Sequence, residues 1–174
     1  MTVTRPLSPD DAPRLAELVT TSRDFLAPFE PDREESWFST AGQAAIVRET
    51  LESADRGLVV PRVILDADGV VAGRINLNNV VRGAFQSCSM GYWLGEEYTG
   101  RGLASGAAAQ MLDLAFGELG LHRVEAGTLV DNVASQKVLA RNGFVRFGLA
   151  PRYLRIAGRW QDHVLFQRLS PHEP

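Results

Sequence analysis

Cysteine occurs once in the 174 residues, at Cys88, and histidine three times. One thiol excludes an internal disulfide and any cysteine-rich metal site, so no metal is expected and a reducing, cytoplasmic setting is the default. Lysine is equally scarce. Lys137 stands alone among 18 basic residues, which reads as genomic codon bias without functional content. The net charge of −3 leaves no basic footprint of the kind nucleic acid demands. Long apolar runs are missing too. No stretch approaches the roughly 18 residues that span a bilayer, and "MTVTRPLSPDD" lacks the basic-then-apolar pattern of a signal peptide. No repeat, low-complexity tract or charge block divides the chain, which predicts one domain over residues 1–174.

What is present alternates between helical and extended patterns. Near the N-terminus a short strand leads to Ser8, a helix N-cap by type, with Leu15, Leu18 and Val19 at helical spacing after it. Pro28 and Pro31 make "PFEP" an ordered loop between helices. A second helix is expected over Gln43 to Ala54, burying Ile46, Val47 and Leu51. β-branched residues flank Ala67-Asp68-Gly69, a hairpin signal, and "AFQSCSMGYWLGEEY" supplies a third strand. Ala104, Ala107, Ala108, Met111, Leu112, Ala115 and Phe116 form the clearest helical stripe, which Gly117 and Gly120 should end. "HRVEAGTLV" reads as a strand and "DNVASQKVLARNGF" as a short helix capped by Asp131 or Asn132, with Gly143 at its left-handed C-terminal position. "FVRFGLA" and "GRWQDHVLFQRL" close the chain as two strands. The result is a mixed α/β layer protein with one central sheet.

The stretch "YTGRGLAS" carries chemistry, because glycines before a helix let backbone approach a phosphate. A P-loop is excluded, since no G-x-x-x-x-G-K-[ST] run exists. The dinucleotide fingerprint fits Gly100-x-Gly102-x-x-Ser105 in part, with Glu125 or Asp131 downstream. However, the strands before it are joined by hairpins, and about forty residues after Asp131 cannot complete the βαβ units a Rossmann domain needs. The bland alternative is a tight strand-to-helix turn.

Strand "MGYWLG", the glycine loop, the alanine-rich helix, "HRVEAGTLVDN", "ASQKVLARNGF" and "WQDHVLF" together resemble the GCN5-related N-acetyltransferase (GNAT) superfamily, and within it the RimJ/RimL-type ribosomal-protein alanine N-acetyltransferases. The resemblance implies the GNAT acyl-CoA N-acyltransferase fold: a mostly antiparallel sheet with one splayed parallel strand pair, flanked by helices. It implies acetyl-CoA as cosubstrate, its pyrophosphate held by Thr99, Gly100, Arg101, Gly102, Leu103, Ala104 and Ser105. Backbone groups of Trp93, Leu94 and Gly95 would pair with the pantetheine arm, and one N–H there could stabilise an oxyanion. Asn132 would contact the coenzyme while capping its helix. Glu97 stands where family loops often carry Gln or Arg, so it is expected to point away from the phosphate.

Ser135 is the candidate general acid, against the alternative of a simple helix-start hydroxyl. The resemblance places Leu154 where one branch of the family carries a glutamate, which leaves Glu30, Asp162, His163 and exposed Glu96 as candidate bases. Asp162 and His163 alternate across a strand, and His163 fits a structural role equally well. The resemblance implies acetyl transfer to an amine, with the N-terminal α-amine of a ribosomal protein favoured. An α-amine, with pKa about 7.7–8.0, is partly neutral at cytoplasmic pH and so tolerates a poor base. A small-molecule amine (antibiotic, amino acid or polyamine) is the competing acceptor, and a non-catalytic acyl-CoA-binding module the competing class. Neither a membrane nor a nucleic-acid partner is expected, and a monomer or homodimer fits equally.

Overall fold

A computed structural model describes residues 3–171. Strand β1 (Thr4–Pro6) runs into a short 3-10 turn that opens helix α1 (Ala12–Thr21). Ser8 forms a reciprocal capping box there: its hydroxyl accepts from the Asp10 N–H, and the Asp11 carboxylate accepts from the Ser8 N–H at 2.8 Å. Helix α1 turns Leu15, Leu18 and Val19 inward, as their spacing requires. A one-turn helix α2 (Arg23–Leu26) and the proline-bounded loop follow, then α3 (Thr40–Asp55), whose Ser39 cap accepts from Gly42 N–H at 3.0 Å.

Strands β2 (Val60–Leu65), β3 (Val71–Val81) and β4 (Ser87–Leu94) form an antiparallel meander. The first hairpin is locked by Asp66, whose Oδ1 accepts from the N–H groups of Asp68 and Val70. Helix α4 (Leu103–Asp113), strand β5 (Arg123–Leu129), helix α5 (Val133–Arg141) and strands β6 (Val145–Ile156) and β7 (Arg159–Leu169) complete the chain. The sheet order is β1-β2-β3-β4-β5-β7-β6, antiparallel everywhere except between β4 and β5. No helix among the described residues is long and apolar enough to cross a membrane.

The sheet is covered on both faces, and strand alternation assigns each residue to one of them. Ile75, Leu77 and Met90 pack with Ala107, Ala108 and Met111 of α4, where the two fully buried alanines let the helix lie close to the sheet. Val63 and Ala72 turn the other way, against Leu15 and Leu18 of α1 and Val47 of α3.

Two expectations are corrected. Gly117 does not end α4; the chain widens into a π turn over Leu114–Glu118, with Leu119 N–H donating to Leu114 O, and stops at Gly120, whose φ is +60°. The hydrogen-bond ladder carries one glycine through because the widened turn keeps its carbonyls paired. Strand β6 also runs past "FVRFGLA" to Ile156, with register shifts at Arg146/Gly148 and Ala150/Leu154. Gly143 does hold the left-handed position after α5, at φ +72°.

Candidate active site

The strand-to-helix turn is made by Gly100 (φ +73°) and Gly102 (φ +80°), a region L side chains rarely enter. Space beside both is open, so no packing demand of the protein itself explains the pair. Gly102 precedes the first residue of α4, and the first N–H to join the helical ladder is that of Gly106, donating to Gly102 O at 3.0 Å. The N–H groups of Leu103, Ala104 and Ser105 are therefore left at a helix end carrying about half a positive charge. Ser105 Oγ, in the same wall, is buried without a hydrogen-bond partner. Thr99 lines the wall as well, its hydroxyl donating to Glu96 O. The Arg101 side chain departs from the expected set: it lies over the Tyr98 ring and is absent from the cleft wall. Glu97 turns away as expected, approaching Arg14 of α1 at 3.8 Å.

Strands β4 and β5 pair only over Ser87↔Arg123, Cys88↔Val124 and Ser89↔Glu125, and then separate. Beyond that point the β4 edge facing β5 has no strand partner. Gly95 N–H donates to Ala72 O on the β3 side. Alternation then turns the Trp93 backbone groups toward β3 too, and those of Leu94 and Tyr92 toward the split. This narrows the expected trio: Leu94 offers its N–H to the opening, while Gly95 and Trp93 spend theirs inside the sheet.

Across the split, α5 presents Ser135. Asn132 caps this helix, its Oδ1 accepting from Ser135 N–H at 3.1 Å, and both residues line the cleft. The Ser135 and Tyr92 hydroxyls share a hydrogen bond of 2.8 Å. Burial pushes the Tyr92 phenol up to about 12, opposed by the Ser135 hydrogen bond, so the phenol keeps its proton at any neutral pH.

These parts open into one cleft of about 750 Å³ that passes from the glycine turn to the α2–α3 loop. Its far half is roofed by Phe25, Phe29, Trp37 and Ile46 and floored by Arg74, Asn76 and Asn78 of β3. Glu30 is here, its Oε2 3.2 Å from Arg33 Nε, while the Arg33 guanidinium stacks 3.6 Å from the Trp37 ring centre. Lys137 and Arg141 add two cations from α5. The cleft wall thus holds four basic side chains (Arg33, Arg74, Lys137, Arg141) against one acidic side chain, Glu30, in a chain of net charge −3. The lone lysine thus lines the cleft, a placement that its scarcity in the sequence did not signal. Its signal was available: Ala134, Lys137, Val138 and Arg141 follow helical spacing directly after Asn132. An open turn with spare N–H groups, an orphaned serine hydroxyl and surplus positive charge fits an extended polyanion such as coenzyme A.

Asp162 and His163 are not brought to this cleft. Asp162 is exposed and accepts from Arg152 N–H at 2.9 Å, holding a β6 irregularity where Arg152 takes φ +49°. His163 is 4% exposed, donates from Nδ1 to Gln161 O and packs against the Tyr153 ring. Both side chains are engaged within the β6–β7 ribbon, so the structure does not bring these two candidate bases to the cleft. Glu96 is exposed in the turn before Thr99, and Leu154 is exposed on β6; neither lines the cleft. Of the acid–base candidates, the cleft keeps Ser135 and Glu30.

Residues 3–145 match the family model described as "Acetyltransferase (GNAT) domain". The probable N-acetyltransferase YjcK of Bacillus subtilis (strain 168) is 33% identical over 97% of this chain and 94% of its own length. The [ribosomal protein uS5]-alanine N-acetyltransferase of Escherichia coli (strain K12) is 36% identical over 92% of this chain and 84% of its own. Among solved structures, Mycobacterium smegmatis RimJ in complex with CoA-disulfide superposes with a TM-score of 0.92 at 32% identity, covering 98% of this chain and 84% of that one. With a matching domain over most of its length, a strand pair that parts beside a glycine turn, and full-length relatives of one kind, the chain belongs to the GNAT family of acetyl-CoA-dependent N-acetyltransferases.

Proposed function

We propose that the protein acetylates the N-terminal α-amine of a protein, with a ribosomal protein as the favoured acceptor. The observation that carries this reading is the through-going cleft. It joins a phosphate-ready turn, a free strand edge and the Tyr92–Ser135 pair to an aromatic-roofed channel. The relatedness to an enzyme that acts on the alanine of ribosomal protein uS5 supports the choice of acceptor.

Acetyl-CoA supplies an acetyl group activated as a thioester. In this reading the N–H groups of Leu103, Ala104 and Ser105 hold pyrophosphate oxygens, assisted by the helix dipole and the Ser105 hydroxyl. Lys137 and Arg141 add exposed positive charge on the α5 side. Leu94 offers its edge N–H toward the split, where negative charge develops on the carbonyl oxygen as an amine attacks. Ser135 delivers its hydroxyl proton to the departing sulfur and takes one back across the hydrogen bond from Tyr92, whose phenol is reprotonated by water. That demand is modest, since a thiol has a pKa of about 8.5. Glu30, at the channel's mouth, accepts the amine's proton directly or through water. Its Oε2 lies 3.2 Å from Arg33 Nε, and an amine already partly neutral at working pH asks least of any base.

Free-thiol release from acetyl-CoA, with Ala- and Ser-initiated peptides set against a panel of small amines, tests the proposal. Turnover of peptides above all small amines is the expected result. Preference for a small amine, or acetyl-CoA binding without turnover of any amine, would overturn it.

A further inference from the structure

Arg74 is the one cation of the cleft taken out of water. It is 7% exposed on β3, whereas Lys137 and Arg141 are exposed on α5 and Arg33 is held by Glu30. Its Nε is buried without a partner, and among the described residues the one hydrogen bond of its side chain is a long contact, Nη2 to Thr50 Oγ1 at 3.4 Å. Asp11 is the carboxylate whose field reaches it, but that carboxylate is already spent. Both Asp11 oxygens accept from Arg5, at 2.6 and 2.9 Å, and one also accepts from Ser8 N–H. Burial pulls the Arg74 pKa below the ordinary arginine value, with Asp11 opposing it, yet a guanidinium stays charged at any working pH. A buried charge with open hydrogen-bonding capacity is costly unless something else completes it.

The coenzyme's phosphate end is on the wrong side to do so. Ile75 and Leu77 of β3 face α4, so alternation sends Arg74, Asn76 and Asn78 to the opposite face, toward α1 and α3. Asn76 Oδ1, one step along that row, is likewise buried without a partner. Arg74 also sits opposite Trp93 in the β3–β4 register, one residue from Leu94 at the split. Its fork therefore lies within a few residues' span of the reacting amine, on the acceptor's side.

We propose that Arg74 is an acceptor-recognition residue, its guanidinium receiving the carboxylate of an aspartate or glutamate in the first three residues of the acetylated peptide. This rests on the reading of the acceptor as a protein α-amine. Asn76 supports the site by bonding the peptide backbone beside that carboxylate. A neutral carbonyl would satisfy a donor but leave the charge uncompensated; a carboxylate does both, in the bidentate geometry arginine favours.

The test compares kcat/KM for Ala-initiated peptides carrying Glu or Gln at position 2, 3 or 8, with free glutamate as a further acceptor. The wild-type enzyme is expected to prefer Glu over Gln at least ten-fold at position 2 or 3 and not at position 8. In Arg74→Met that ratio falls to near one while the melting temperature stays level or rises, because an uncompensated buried charge has gone. Arg74→Lys, which keeps the charge and loses the fork, retains part of the preference. A wild-type ratio within two-fold at both near positions overturns the proposal while leaving the peptide reading intact. So does a preference that survives in Arg74→Met, or, should that variant not fold, survives undiminished in Arg74→Lys. Turnover of no peptide, or of free glutamate above all peptides, overturns both.

Discussion

The two halves of the cleft are built from different materials. Around Gly100–Ser105 and the β4 edge, the wall proposed to face the coenzyme consists mainly of backbone: two positive-φ glycines, three free helix N–H groups and a strand edge without a partner. The half proposed for the acceptor is made of side chains: Phe25, Phe29 and Trp37 above, Arg74, Asn76 and Asn78 below. Backbone recognises what is constant, a phosphate or an amide, and tolerates change in neighbouring side chains. Side chains on loops and a strand face choose among amines, and they can be altered without touching the donor site.

Variants on either side should break or sharpen this contrast. The largest effect is expected at Gly102. Gly102→Val forces a β-branched residue to φ +80°, a strain of about 1–3 kcal/mol, and sets its side chain in the space beside the turn. Acetyl-CoA affinity should fall about 100-fold or more by titration calorimetry, with the far-UV spectrum retained; full affinity would remove the turn from the site. Next comes Ser135→Ala, where kcat should drop roughly ten- to a hundred-fold with acetyl-CoA affinity within about two-fold. An unchanged kcat would reduce Ser135 to a partner of Tyr92.

Alkaline stability gives a third, smaller effect. The folded Tyr92 phenol, at about 12, lies above its ordinary value of 10.0, so folding favours the protonated form. Its contribution is complete below about pH 10 and is lost as pH rises toward and through 12, reaching about 1.4 kcal/mol of lost stability at pH 11. Buried Cys88, also pushed up to about 12, acts in the same direction. Tyr92→Phe should therefore lose roughly 3–5 °C less than wild type in melting temperature between pH 8 and pH 11. Equal losses would mean that the phenol titrates normally. The smallest effect belongs to residues outside both halves. Glu97→Gln should leave acetyl-CoA affinity, and Asp162→Asn should leave kcat/KM, within about two-fold. A large loss in either would redraw the cleft's boundary.

The parts of the site legible in the sequence were those that local rules write down. A glycine pair before an alanine-rich helix specifies its own turn, Asn132 specifies its cap, and the order of hairpins and helices excluded the Rossmann alternative. The misses share one cause. Asp162 and His163 have the right chemistry for a base, but only the β6–β7 register shows that one holds a bulge and the other packs on Tyr153. Arg74 drew no notice because "GRINLNN" reads as an ordinary strand, and its worth depends on an Asp11 already claimed by Arg5, more than sixty residues earlier.

Composition and local pattern alone thus determined the layer architecture, the glycine turn and the caps at Ser8 and Asn132, because hydrophobic period and capping act within a few residues. Tertiary structure decided which titratable groups meet in the cleft, which backbone N–H groups stay free at the β4–β5 split, and which charge is left uncompensated. Those are differences between burial and pairing, and only the assembled sheet determines who is near whom.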